Sequence, residues 1–311
     1  MGTPAFAVPA LRAVAGACEV VGVVTRPDRR RGRGQGIAAS DVALEAGRLG
    51  LKVSRPEELK TPESWGEIAA LAPDLLVVVA FGTILPKGLL EVPRAGAINL
   101  HASLLPEYRG ASPVQRTLWD GRAWTGVTTM FIDEGLDTGD LILQRLIAVR
   151  PEDDAASLLA RLAEAGAPLL VESVLLAHAG RAPRTRQDRG AGSYARRLRK
   201  EDGVIDWAPD ALTVWNRQRA MTPWPGAATM LRGRRVLVTR SWPEHALPPG
   251  RPPGSVLETR ADGVVVACGT GALRLVRVKS EGRNEVDASE WAHGARLAPG
   301  DRFVVEKETI A

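Results

Sequence analysis

The chain has 311 residues, of which 45% are hydrophobic and 25% charged, the balance of a soluble globular protein with one large or two ordinary domains. No apolar run reaches the length of a membrane span, and no basic stretch followed by an apolar one marks a leader. The two cysteines, Cys18 and Cys268, lie far apart and form no metal-ligand spacing, so two buried thiols in a reducing cytosol and no metal are expected.

In chain order, Gly2-Thr3-Pro4 reads as a strand-to-helix turn feeding a helix over 5–15. An apolar strand at 19–25 and the Gly/Arg-rich loop Arg26–Gly36 follow. Ser40 is a good N-cap for a helix over 41–49. After a short strand at 51–54 and a helix at 61–71, the apolar run inside Asp74–Phe81 reads as a buried parallel strand. A helix near Pro86 precedes a strand at Asn99 and His101. Ser112-Pro113 opens a helix that ends near Gly121. Residues 125–132 and 141–149 read as strands with a Gly/Asp loop between them. Residues 155–179 carry helical spacing, with Gly180 placed as a C-cap.

Strands alternating with helices predict an α/β fold with a Rossmann-like parallel sheet. Such a sheet normally starts with a strand, and none precedes the turn at Gly2. The expectation is that the natural product begins several residues earlier, which mass spectrometry of the native N-terminus would settle. Residues 1–181 are expected to form this domain, 182–201 a basic linker crossing a surface, and 202–311 a small OB-like β-barrel. The barrel strands fall at 204–207, 228–231, 235–239, 254–257, 263–268 and 272–278, with helices near 210–220 and 288–293. Trp207, Trp224 and Trp291 are assigned to its core. His178, His245 and His293 suit solvated or capping roles.

The net charge of +5 is unevenly spread. Between Arg181 and Arg240 there are fourteen Lys and Arg against five Asp and Glu, and Arg26–Arg33 holds five arginines and one aspartate. Such clusters suit a polyanionic partner, although Arg-rich surface decoration gives the same count. Gly32-x-Gly34-x-Gly36 is no dinucleotide fingerprint, because it follows arginines and opens no close helix.

The stretch Ile98–Gly110 is the candidate for chemistry. Residues two apart on a strand share a face, so Asn99 and His101 point together while Ile98 and Leu100 pack inward. Pro106 ends the strand. Taken alone, the pair fits a half-buried edge strand with two solvated polar residues better than a site. Asp137 lies in Gly135-Leu136-Asp137-Thr138-Gly139-Asp140, where the glycines permit an unusual backbone path. Spacing alone fits a plain Gly/Asp turn slightly better than a catalytic loop. Were the three together, they would suit attack by an amine on an acyl carbon. Asn99 and His101 would donate to the developing oxyanion, and Asp137 would orient His101, hold its charge and help take the amine proton.

Asn99-x-His101-x-Ser103-Leu104-Leu105-Pro106, then Tyr108-Arg109-Gly110, then Leu136-Asp137-Thr138-Gly139, resembles the signature of the folate-dependent formyltransferases. Gly2-Thr3-Pro4 with Phe6-Ala7, Pro27-Asp28-Arg29 with Gly32-Arg33-Gly34, and Pro223-Trp224-Pro225-Gly226 extend the resemblance along most of the chain. They narrow it to the branch acting on methionyl initiator tRNA. The resemblance implies Asn99, His101 and Asp137 as the catalytic trio and Ser103, Leu104, Leu105 and Pro106 as the tetrahydrofolate-binding loop. It implies Arg33 as the arginine approaching the tRNA acceptor end. The formyl donor would be 10-formyltetrahydrofolate, the barrel would face tRNA, and the enzyme would act as a monomer. Ala5, where an aspartate is frequent, and Met221-Thr222, in place of Phe-Asn, depart from the pattern without touching the trio. The alternatives are a formyltransferase acting on a nucleotide-linked amino sugar and a non-catalytic RNA-binding protein.

Overall fold

The computed structural model describes residues 1–31, 36–188, 190–244 and 251–305. The chain divides into two compact units. One is built from Met1–Pro113, Trp124–Ala148 and Leu159–Ala195, the other from Val114–Ala123, Val149–Leu158 and Arg196–Ala311.

In the first unit a 3-10 turn at Ala5–Ala7 runs into α1 (Val8–Ala17), with a proline in its first turn where no N–H is needed. Then come β1 (Val23–Val24) and the antiparallel ribbon of β2 (Arg29–Arg31) and β3 (Gly36–Ala38). α2 (Asp41–Arg48) begins where expected: Ser40 Oγ accepts from Ala43 N at 3.1 Å and lies 2.7 Å from Thr25 Oγ1. β4 (Val53–Ser54) runs parallel to β1. There follow α3 (Pro62–Ala70), β5 (Leu76–Val78), α4 (Lys87–Leu90), β6 (Ala97–His101) and β7 (Arg109–Gly110). Pro113 starts α5 (Pro113–Trp119), and β8 (Trp124–Phe131), β9 (Leu141–Ala148), α6 (Ala155–His178) and β10 (Tyr194–Ala195) complete the first half of the chain.

The main sheet has the order β5-β6-β8-β9. β5 and β6 are parallel, whereas β8 is antiparallel to both β6 and β9. The parallel half matches the continuous apolar run of β5, and the antiparallel half adds a hairpin to its flank. Ile98 and Leu100 are buried, as are Val24, Leu76, Val78, Phe81 and Leu89 in the adjoining core.

Met1 and Gly2 lie between β1 and β5. Gly2 N donates to Val24 O, Val79 N to Met1 O, and the Met1 amine to Val77 O. Burial pushes that amine down to about 5. Two residues thus stand where an inner strand was expected. Beside them, a cavity of about 140 Å³ is lined mainly by apolar side chains from the stretches 19–24 and 75–79.

The second unit takes in most of α5 and the first turn of α6, and its own helix α7 (Ala211–Met221) is capped by Asp210, whose Oδ1 accepts from Thr213 N at 3.0 Å. The strands are β11 (Ala228–Leu231), β12 (Arg234–Glu244), β13 (Val256–Arg260), β14 (Gly263–Ala267), β15 (Ala272–Ser280) and β16 (Glu285–Asp287). α8 (Ala288–Gly294) and β17 (Phe303–Val304) follow. They form one antiparallel sheet in the order β13-β14-β15-β12-β11-β17, with β16 on β15. Phe303 N donates to Gly254 O at 2.8 Å and Val256 N to Asp301 O at 2.7 Å, so the sheet curls until its two ends meet. This is the small β-barrel expected. Its core sets Trp207 against Phe303, ring centroids 5.8 Å apart and planes tilted by 34°, and buries Val264, Val266, Leu273 and Leu275. Trp207 and Trp291 pack as expected. Trp224 does not: held in a loop between Pro223 and Pro225, it is 53% exposed.

Both cysteines are free thiols, and burial pushes Cys268 up to about 12. Since the thiolate is the nucleophile, iodoacetamide at pH 8 is expected to alkylate half-buried Cys18 and spare Cys268 in the native protein. Peptide mass spectrometry reads the outcome, and equal labelling of both would contradict the burial.

Candidate active site

β6 is an inner strand. Asn99 sits opposite Val78 on one side and Met130 on the other, and His101 sits opposite Thr128. The edge-strand reading therefore fails: both polar residues are set on a strand bonded from both flanks. His101 is 7% exposed. Its Nε2 lies 2.9 Å from the Tyr108 carbonyl oxygen, which can only accept, so that nitrogen carries the proton. Nδ1 then faces Asp137 Oδ2 at 3.7 Å, too long for a hydrogen bond but within ion-pair range when the ring is charged.

Asp137 is brought there by its loop. Its Oδ2 accepts from Gly110 N at 2.8 Å, and its φ of +54° is a conformation that non-glycine residues adopt at a cost. Gly110 has to be glycine: its φ is +106°, and a Cβ would stand 2.6 Å from the Tyr194 ring and 2.7 Å from Ala195 O. A Cβ on Gly139 would overlap the Phe131 carbonyl. The glycines of the Gly/Asp stretch thus permit the path that carries Asp137 back beside His101. Among the described residues, none hydrogen-bonds the Asn99 amide or Asp137 Oδ1, which leaves a donor group and a carboxylate oxygen free for a ligand.

The loop Ser103–Pro106 is clamped from beneath. Thr128 Oγ1 donates to Ser103 O at 2.7 Å and accepts from Leu105 N at 3.1 Å. Gln144 Nε2 donates to Leu105 O at 2.8 Å and to Thr128 Oγ1 at 3.0 Å. Ser103 Oγ donates to Glu107 O at 2.6 Å, and the Leu105–Pro106 peptide is cis. Leu105 is buried and Leu104 half-buried. Sequence reasoning placed the loop but missed Thr128, Gln144 and the Tyr108 carbonyl. Thr128 faces His101 across the sheet, so the period of β8 could have pointed to it. Gln144 and Tyr108 carry no such signal. An open pocket of about 460 Å³, lined by Lys87, Leu90, Glu91 and Ile132–Gly135, adjoins the Asp137 loop. Among the described residues, no cluster of three His, Cys, Asp or Glu is placed to hold a metal. Arg33 lies outside the described residues, as does His245.

The basic region between Arg181 and Arg240 is partly spent on structure. In the second unit Arg196 pairs with Asp202 at 2.6 Å and Arg232 with Asp301 at 2.6 Å. Arg219 is buried over the Trp215 ring, bonded to Asn216 Oδ1, and desolvation pushes it down to about 10. Arg197, Arg199, Lys200, Arg234 and Arg235 are exposed and have no ion-pair partner among the described residues.

The formyl transferase family matches residues 6–174, and its C-terminal domain matches residues 197–296. The chain is 44% identical to the methionyl-tRNA formyltransferase of Geobacter sulfurreducens, covering 97% of this chain and 95% of the relative. It is 46% identical to the methionyl-tRNA formyltransferase of Solibacter usitatus, covering 97% of each. Among solved structures, WlaRD, a sugar 3N-formyl transferase, superposes with a TM-score of 0.64 at 16% identity over 91% of this chain and 97% of that one. HypX from Aquifex aeolicus, in complex with tetrahydrofolic acid, superposes at 0.62 and 20% identity, over 90% of this chain and 48% of that one.

Proposed function

The chain belongs to the formyl transferase family, and from that premise we propose that it moves the formyl group of 10-formyltetrahydrofolate onto the α-amino group of methionine on initiator tRNA. The observation that carries this reading is 44–46% identity over 97% of the chain to relatives bearing that activity in their names. Likeness to sugar formyltransferases is one of fold, at 16–18% identity. In this reading residues 1–181 perform the transfer, 182–201 link, and 202–311 hold tRNA. The enzyme works as a cytoplasmic monomer without a metal.

The folate donor supplies an activated formyl carbon, held against Ser103, Leu104, Leu105 and Pro106. The methionyl amine attacks that carbon. A new C–N bond forms, and the carbonyl electron pair moves onto oxygen. The Asn99 amide, unpartnered among the described residues, and protonated His101 Nδ1 donate to that oxygen, as preorganised donors do where charge develops. Asp137 holds the imidazolium across 3.7 Å, and its free Oδ1 takes the amine proton directly or through a water. Collapse breaks the bond to N10, which gains a proton, so one proton passes from amine to folate nitrogen and the charge balances.

The test is incubation with 10-formyltetrahydrofolate and charged initiator tRNA, with a nucleotide-linked amino sugar as competitor. Formylmethionine should be the product, and preferential formylation of the sugar rejects the reading. Exposed Arg197, Arg199, Lys200, Arg234 and Arg235 further predict steep salt dependence of tRNA binding. Each phosphate neutralised contributes a slope of roughly −0.7 to −0.9 in log K against log salt, so five such contacts give roughly −4. A flat profile in filter binding would point to a small substrate.

A further inference from the structure

The segment expected to be a plain linker is bonded to the site. In the first unit, Thr185 bridges to Leu141, and β10 pairs in parallel with β7 through Tyr194↔Arg109 and Ala195↔Gly110. Ser193 Oγ accepts from Tyr108 N at 3.0 Å and donates to Glu107 Oε2 at 2.6 Å. Between these anchors stands half-buried Gln187. Its Nε2 donates to Asp137 O at 3.0 Å and to Gly139 O at 2.7 Å. Its Oε1 accepts from Arg109 Nε at 3.2 Å and Nη2 at 2.9 Å, and Arg109 Nη2 also reaches Asp188 O at 3.1 Å.

One amide therefore ties together the two stretches that meet at the Asp137 carboxylate: the loop that carries it and the turn whose Gly110 N–H holds it. The amide has one sensible orientation. Exchanging oxygen and nitrogen would aim the NH2 at a guanidinium and the oxygen at two carbonyls. The tie sits where it matters, because Asp137 and Tyr108 both take left-handed backbone, with φ of +54° and +59°. Such conformations persist only where the surroundings hold them. Asp137 presents its carboxylate from that backbone, and Tyr108 presents the carbonyl that fixes the His101 proton.

We propose that Gln187 is a positioning residue for formyl transfer. It locks the Asp137 peptide directly and the Tyr108–Gly110 turn through Arg109, and so keeps the carboxylate in register with His101. This rests on the roles given above to His101 and Asp137.

The experiment uses the full chain, charged initiator tRNA and 10-formyltetrahydrofolate. Gln187→Met keeps the length and removes every hydrogen bond, while Gln187→Glu keeps the acceptor for Arg109 and removes both donors. Misplacing a reacting group by about 1 Å costs about 10²-fold, so both variants are expected to lower kcat by about 10- to 100-fold, per folded molecule. KM for the formyl donor should stay within about twofold, since the Ser103–Pro106 loop has its own clamps. In an Asp137→Asn background, Gln187→Met should change kcat by less than about twofold, because the group it positions has lost its charge. A merely structural role cannot produce that non-additivity. Wild-type kcat in Gln187→Met, a loss that vanishes once rates are normalised to folded protein, or an undiminished loss in the Asp137→Asn background each overturns the proposal. A wild-type protein that formylates no methionyl-tRNA instead overturns the functional reading beneath it.

Discussion

His101→Ala is expected to lower kcat for formyl transfer by about 10²–10³-fold while tRNA binding stays within a few-fold of wild type. A preorganised oxyanion donor is worth about 10²–10³ in kcat. His101 supplies that donor through one atom. Nε2 is committed to the Tyr108 carbonyl at 2.9 Å, so only Nδ1 can face the reacting group. The residue is buried, and removing it leaves that carbonyl short of a donor, at a cost of about 1–3 kcal/mol. The rate must therefore be read alongside a melting curve. His101→Asn, which refills much of the volume, separates chemistry from packing. If it restores stability but not turnover, the imidazole is doing the chemistry. If His101→Ala is folded and turns over within tenfold of wild type, the mechanism loses its oxyanion donor.

The sequence pattern exposes some of this arrangement and hides the rest for identifiable reasons. Ile98 and Leu100 alternating with Asn99 and His101 announce a strand with one polar face, and β6 is that strand. Ser40 and the helix it caps are visible because capping is a local interaction. What the pattern misses is tertiary. β6 reads as an edge because nothing in Trp124–Phe131 tells whether that strand returns antiparallel beside it. β10 is two residues long, far below any periodic signal, and exists because Gly110 lets Tyr194 and Ala195 approach. Tyr108, unlike Asp137 or a glycine, gives no hint of a left-handed backbone. Charge counting errs in the other direction. It credits Arg196, Arg219 and Arg232 to a polyanion, although these arginines are held by Asp202, Asn216 and Asp301. The same count also includes Arg184, which lies 3.7 Å over the Phe131 ring in the first unit.

Asp137→Asn separates the two readings that spacing leaves open for the Gly/Asp loop. An asparagine in the same place can still accept from Gly110 N through its side-chain oxygen, so a residue serving only to close a turn should tolerate the change. The fold should be kept on either account, with a melting temperature within a few degrees of wild type. What disappears is the negative charge 3.7 Å from His101 Nδ1 and the basic oxygen that receives the amine proton. Two unit charges about 4 Å apart interact by about 4 kcal/mol at an effective dielectric of 20, an upper bound of about 10³ in rate. Losing the base adds to that, while partial solvent access subtracts. A fall in kcat of about 10²–10³-fold is expected, with KM for the formyl donor little changed, because the donor is held by Ser103–Pro106. Near-normal kcat in Asp137→Asn would return Asp137 to the role of a turn residue. The amine proton would then need another acceptor, and the buried, Tyr108-bound His101 has only Nδ1 to offer.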